Sequence, residues 1–332
     1  MGKKEQIDPA PQKNLFQVDA ALARPVSPDA IDPSIIGIGM IKGLAIPEIG
    51  CSVQKSGRSS GYTRGRITVV GATVTVGFIN GRNARFTNQI LSAKMGKPGD
   101  SGSLLLDGAN RAVGLLFAGS ATTTIYNPIE EVLQSLQIRL SEDDSLEIPS
   151  PEFRSQRKVC DNVADYILAL PHVVGVGIGN KFSEGLDTGI RCLTVLVKSK
   201  IPRDDLREED TVPVFMEGLP TDVVESGSIT ADTTNWLEPR MGRKTKIRPA
   251  RPGISIGHYR ISSGTFGAIA YDLATGEPFI LSNNHVIANS TDGQDGLSKI
   301  GDPILQPGKS DGGTDPDDVL ATLCRISPLR FI

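Results

Sequence analysis

Lys97-Pro98-Gly99-Asp100-Ser101-Gly102-Ser103-Leu104-Leu105-Leu106 is the stretch from which the rest of the chain is read. A Lys-Pro step leads into two glycines that bracket an Asp-Ser pair, and an apolar, strand-like run follows. A serine hydroxyl is a weak nucleophile at neutral pH. It needs an imidazole to take its proton, a carboxylate to orient that imidazole, and N–H donors for the oxyanion that develops. A glycine at 99 can turn its N–H toward a bound carbonyl beside that of Ser101, and Gly102 lets the chain turn away. The same string also makes an ordinary surface turn, so the missing parts must be sought elsewhere in the 332 residues.

Only three histidines are present. His172 follows Pro171 in a separate α/β stretch, and His258 in Gly257-His258-Tyr259 has no other signal beside it. His285 ends Phe279-Ile280-Leu281-Ser282-Asn283-Asn284-His285, an apolar strand running into a small polar turn that presents the ring, and is the expected base. Two acids compete for the orienting role. Asp19 is embedded in the apolar run Val18-Asp19-Ala20-Ala21-Leu22-Ala23, and a buried carboxylate is costly without a partner. Asp318 has Asp315 and Asp317 beside it and reads as part of a solvated loop. The expected constellation is Ser101, His285 and Asp19, with the N–H groups of Gly99 and Ser101 as oxyanion donors.

Composition is that of a globular chain, 39% hydrophobic and 22% charged. The 36 glycines and 22 prolines suit many short strands joined by turns. A net charge of -3 gives no global case for binding nucleic acid or an anionic membrane. The segment Met1-Gly2-Lys3-Lys4-Glu5-Gln6 lacks the apolar run of a secretory signal, and no stretch is apolar enough to span a bilayer. Cys51, Cys160, Cys192 and Cys324 show no CxxC spacing and read as small buried apolar side chains in a reducing cytoplasm. No metal or cofactor is expected.

Along the chain, residues 1–13 read as a tail. Residues 14–140 carry strand-like runs, including Arg66 to Val70, Thr73 to Phe78, Ser103 to Leu106 and the continuously apolar Val113 to Phe117. A helix is predicted over 127–136, with Asn127 as its cap and Pro128 in its first turn. Residues 141–153 read as a linker. In residues 154–227, Val159, Val163, Tyr166, Ile167 and Leu170 share a helical face, and the runs Val173 to Ile178, Cys192 to Val197 and Val212 to Met216 follow. Residues 228–252 are a basic linker, read as solvated, and strand-like text returns over 253–332.

These segments together resemble the trypsin-like double β-barrel peptidases, and within them the narrow-leaf (NAL-like) group of bacterial and plant proteins, which also carries an α/β module. Gly264 to Val286 looks like the hairpin that delivers the family's histidine, Val18 to Leu22 like its aspartate strand, and Val319 to Leu323 like the strand before it. Lys55 to Ile67 looks like the opening of the second barrel, and Val113 to Ser120 like the strand flanking the primary specificity pocket. The resemblance implies that Met95, Ala118, Gly119 and Ser120 surround the substrate and, with nothing acidic among them, that an apolar or small side chain precedes the cleaved bond. The family runs His, Asp, Ser, whereas this chain runs Asp19, Ser101, His285. That is the same cyclic order, cut between His and Asp. The expected fold is therefore mainly β: a circularly permuted chymotrypsin-like double barrel with the α/β module between the two barrel segments. The implied activity is serine endopeptidase on a protein or peptide substrate. A protease-like scaffold serving as a binding or regulatory module is the rival, and nucleic-acid binding through Arg240 to Arg251 a distant third. Strands drawn from opposite ends of the chain make the first barrel the less stable one and leave open a homo-oligomer formed by strand exchange.

Overall fold

The computed structural model describes residues 17–79, 81–141, 144, 151–231 and 242–332. The expected tail and most of the expected linker at 141–153 lie outside these residues. Among those described, strands dominate and three α-helices occur. In chain order the elements are β1 (Ala21–Pro25), β2 (Ser52–Gly57), β3 (Gly61–Gly77), β4 (Asn83–Ala93), β5 (Leu104–Asp107), β6 (Ala112–Gly119), β7 (Thr123–Pro128), α1 (Ile129–Leu136) and β8 (Ile138–Arg139). Then come α2 (Pro151–Ala169), β9 (Val173–Ser183), β10 (Leu186–Val197), β11 (Phe215–Met216) and β12 (Leu219–Glu225). The last part holds β13 (Ser255–His258), β14 (Gly264–Thr265), β15 (Ala268–Asp272), β16 (Pro278–Ser282), α3 (Asn284–Ile287), β17 (Pro303–Leu305) and β18 (Val319–Ile326).

The strands form two sheets. One runs β14-β13-β17-β18-β1-β16-β15-β8. Its β1 is hydrogen-bonded on both sides, to β16 and to β18, so the first and last strands of the described chain are neighbours. The pairing continues past the strand end, where Ser327 N donates to Ala20 O at 2.9 Å. Alternation along an extended chain explains how this segment is buried on both faces. Val18, Ala20 and Leu22 join the cluster that includes Leu104, Leu115, Val132 and Leu281, whereas Ala21 and Ala23 join the one around Ile256, Phe266, Ile280 and Leu320. Asp19 falls in phase with Ala21 and Ala23.

The other sheet runs β11-β12-β10-β9-β3-β2-β5-β6-β7-β4, and a further pairing of β3 with β4 brings the ends of the strip from β3 to β4 together. One long strand, β3, covers what reads as two runs in sequence. Its register shifts around Val69 to Val74, where it pairs with β4 on one side and β9 on the other. The α/β stretch therefore continues a sheet rather than standing apart. Its helix α2 begins at Pro151, inside the expected linker, and β12 (Leu219–Glu225) is a strand that the hydrophobic pattern did not announce.

Two local expectations are corrected. Pro128, not Asn127, occupies the N-cap of α1; the Asn127 amide is engaged with the Asp19 backbone instead, because a long-range partner outcompetes the local cap. The described part of the basic stretch is partly exposed, but its cations are tied to the body. Arg243 donates to Ser56 Oγ (2.6 Å) and Gly253 O (3.0 Å), and Lys246 pairs with Asp318 (2.9 Å). Arg248 bonds Gln306, and Arg251 reaches Ser34 O (3.2 Å). Of the cysteines, Cys160 and Cys192 are buried as expected, but Cys51 is exposed and Cys324 half-buried; all four are free thiols. No helix among the described residues is long and apolar enough to cross a membrane.

Candidate active site

Asp19 and His285, 266 positions apart, meet in the interior. His285 Nδ1 lies 2.5 Å from Asp19 Oδ2, and the His285 backbone N–H donates to Asp19 Oδ1 at 3.1 Å. An ionised carboxylate only accepts, so Nδ1 carries the proton and Nε2 presents its lone pair. Both residues are buried, with Asp19 at 0% and His285 at 2% exposure, and Nε2 has no hydrogen-bond partner among the described residues. A buried ring nitrogen without a partner is the exception in a folded protein.

The polar turn before His285 fixes this geometry. Asn283 Nδ2 donates to Asp19 O at 2.6 Å, and Asn127 holds the same residue from the other side, accepting from Asp19 N at 3.2 Å. Asn284 pins the turn itself, donating to Thr291 O (3.0 Å) and Ser327 O (2.9 Å). The Phe78 ring stands edge-on to the imidazole at 6.3 Å. The carboxylate is thus held by its backbone as well as by the ring it orients.

Ser101 sits in the loop between β4 and β5. Gly99 (φ 90°) and Gly102 (φ 95°) both take left-handed backbone that favours glycine. A Cβ at Gly102 would stand 2.3 Å from Thr265 O and 2.4 Å from Ser282 Oγ. Neighbouring N–H groups are committed: Asp100 to Lys97 O, Gly102 to Leu116 O and Ser103 to Asp100 O. Those of Gly99 and Ser101 find no acceptor among the described residues. Two free donors one residue apart, beside a serine hydroxyl, can receive a carbonyl oxygen that gains negative charge.

Asp100 anchors this loop from below. Its carboxylate, fully buried, takes Lys55 Nζ at 3.0 Å, Ser60 Oγ at 2.5 Å and the backbone N–H groups of Ser59 (2.8 Å), Ser60 (3.0 Å) and Lys97 (2.9 Å). Burial alone would raise its pKa; the Lys55 ammonium and these donors outweigh it and hold the carboxyl below its usual range. Burial pushes the Lys55 ammonium down in turn. Lys55 supplies the counter-charge to Asp100 inside the fold, and sequence reasoning did not single it out.

The two sheets are strapped together around the loop. Thr265 N donates to Ser101 O at 2.8 Å, Thr265 Oγ1 donates to Gly99 O at 3.0 Å, and Arg58 forms a bidentate buried pair with Asp311, both contacts at 2.5 Å. A Cβ at Gly264 would lie 2.9 Å from Ser101 O and 2.5 Å from Val286 Cγ2, so the serine and the residue after His285 flank one glycine. Ser101 Oγ and His285 Nε2 share this neighbourhood but form no hydrogen bond with each other.

The rival residues lie elsewhere. His258 Nε2 is 3.1 Å from Asp302 and its Nδ1 accepts from Arg260 N at 3.3 Å, so both ring nitrogens are spent; burial lowers its pKa. His172 is exposed in a turn. Asp318 is engaged by Lys246 and Thr314.

A pocket of about 230 Å³ opens beside Ser101, and Ala118, Gly119 and Ser120 are among its lining residues. Met95 is not part of it, and this expectation is corrected. Met95 is buried in the core, where its sulfur is 3.5 Å from Tyr126 Oη. At the bend that follows β4, Met95 turns inward while Lys94 lines the pocket. Sequence reasoning also missed Ser228 and Thr230, which line the other wall because Thr230 and Gly119 exchange backbone hydrogen bonds, both 3.0 Å.

No protein-family model and no curated protein sequence matches the chain. Its structural neighbours are bacterial chymotrypsin-fold serine proteases, alike over a limited part. A Cellulomonas bogoriensis chymotrypsin is 28% identical over 29% of this chain and 54% of its own, with a TM-score of 0.25. A glutamic acid-specific serine protease that uses a histidine triad in substrate binding is 26% identical over 33% of this chain and 58% of its own (TM-score 0.26). Thermobifida fusca protease A is 25% identical over 32% and 56%, with a TM-score of 0.25. The chain thus spans little more than half the length of each of these neighbours.

Proposed function

We propose that the chain is a serine endopeptidase with a chymotrypsin-like double β-barrel in circularly permuted order. The α/β module of residues 154–227 is inserted between the two barrel segments. Ser101 attacks a peptide carbonyl, His285 Nε2 takes the hydroxyl proton and returns it to the leaving amine, and Asp19 holds the imidazole in the required tautomer. The N–H groups of Gly99 and Ser101 receive the oxyanion. The observation that carries this reading is the buried Asp19–His285 pair with its outer nitrogen unpartnered, beside a serine loop that offers two free N–H groups. The position of β1 between β16 and β18 supports the permuted order. The substrate is a protein or peptide, and four free thiols fit a reducing compartment such as the cytoplasm.

A fluorophosphonate probe tests the reading. Labelling is expected in the wild type and lost in Ser101→Ala and His285→Ala. A second reading, a protease-like scaffold that binds without cleaving, draws on the missing Ser101–His285 hydrogen bond. Such bonds often tighten only around substrate. Folded protein that resists the probe with and without peptide present would favour the scaffold.

A further inference from the structure

Among the described residues, the pocket beside Ser101 is lined by two cations and no acid. Lys94 and Lys97 line it with Ser120, Thr124 and Thr230. The Lys94 ammonium donates to Ser120 O, and no carboxylate of the described residues lies within 4 Å of it. A lysine has three N–H donors, so two are left over for an occupant. The ammonium lies over Gly119, 3.6 Å from where a Cβ there would stand. The nearest acid to act on it, Asp100, is already neutralised by Lys55. Burial pushes the Lys94 ammonium down, the response of a cation short of counter-charge.

We propose that this pocket takes the side chain preceding the cleaved bond and selects an acidic one, with Lys94 as the specificity-determining residue; this rests on the peptidase reading above. An apolar occupant would strip water from the ammonium without replacing its hydrogen bonds, and a basic one would meet like charge. A glutamate or aspartate supplies the missing acceptor. The proposal departs from the apolar preference expected from sequence, which considered only acids and not the lysine one residue before Met95.

The test compares kcat/KM on a peptide series that varies only at this position: Glu, Asp, Leu, Ala and Lys. Glu or Asp is expected to exceed Leu and Lys by about tenfold or more, with a preference that shrinks as salt rises. Lys94→Met abolishes the preference, and Lys94→Glu turns it toward Lys. Labelling of Ser101 by the fluorophosphonate does not depend on this side chain and reports the peptidase reading separately. A labelled enzyme that prefers Leu, or a Lys94→Met variant that keeps the acid preference, overturns the proposal and leaves the peptidase intact. If nothing labels, binding to Ser101→Ala decides. Peptides ending in Glu should bind at least about tenfold tighter than those ending in Leu, and lose that advantage in Lys94→Met; equal binding overturns the proposal.

Discussion

Replacing Lys55 by Met leaves the Asp100 carboxylate buried without its cation, directly beside the proposed nucleophile. The two charges are 3.0 Å apart and both side chains have 0% exposure. Breaking such a pair from one side costs about 3–5 kcal/mol, because the surviving charge has neither partner nor water. Here the three backbone N–H groups and the Ser60 hydroxyl stay on Asp100, which places the loss near the lower end, at about 3 kcal/mol. Urea unfolding followed by far-UV circular dichroism measures it. The double variant Lys55→Met/Asp100→Asn removes the stranded charge and should recover most of the stability. Labelling of Ser101 should slow in the single variant, since the loop that carries the Gly99 and Ser101 donors hangs from Asp100. A single variant that loses less than about 1 kcal/mol, or a double variant no more stable than the single one, would refute the idea that this ion pair holds the loop.

Other outcomes follow from the same geometry. Asp19→Asn should keep the fold but lower kcat by about 10⁴, measured on the best peptide substrate, because the amide favours the wrong imidazole tautomer. Gly102→Ala should destabilise by about 2 kcal/mol or more in urea unfolding, since its Cβ meets Thr265 O and Ser282 Oγ and its φ is 95°. Burial raises Glu131, which accepts from Asn88 and faces Arg157 of α2 at 3.7 Å, to about 7. Its neutral form therefore contributes stability that is complete below the unfolded carboxyl value and is lost as pH rises through about 7. Wild type should lose about 3 kcal/mol between pH 4.5 and 8 relative to Glu131→Gln, read from parallel urea titrations; parallel curves would show that Glu131 titrates normally.

Sequence and structure agree best where a residue violates its surroundings. Asp19 was legible because a carboxylate in an apolar run demands a partner, and His285 because a strand ends there in a tight polar turn. The glycines around Ser101 were legible because their positive φ and close neighbours leave no room for a side chain. What stayed hidden depended on distance or phase. Lys55 lies 45 positions from Asp100 and looks like any strand lysine. Asn127 carries a local capping signal that a remote backbone overrides. Met95 and Lys94 differ only in which way a strand end faces, and composition cannot tell. The glycine-rich β9 reads as a strand, but nothing in it says that β3 will be its neighbour.

The strand that supplies Asp19 is held between β16 and β18 by pairing on both edges, with no covalent tie to either within the sheet. A chain trimmed to begin after Pro25 would lack the carboxylate and open a slot one strand wide. A synthetic peptide of residues 17–25 could fill that slot and return the acid, so the molecule divides naturally into a body and a short key whose concentration would set how much of the proposed site is complete.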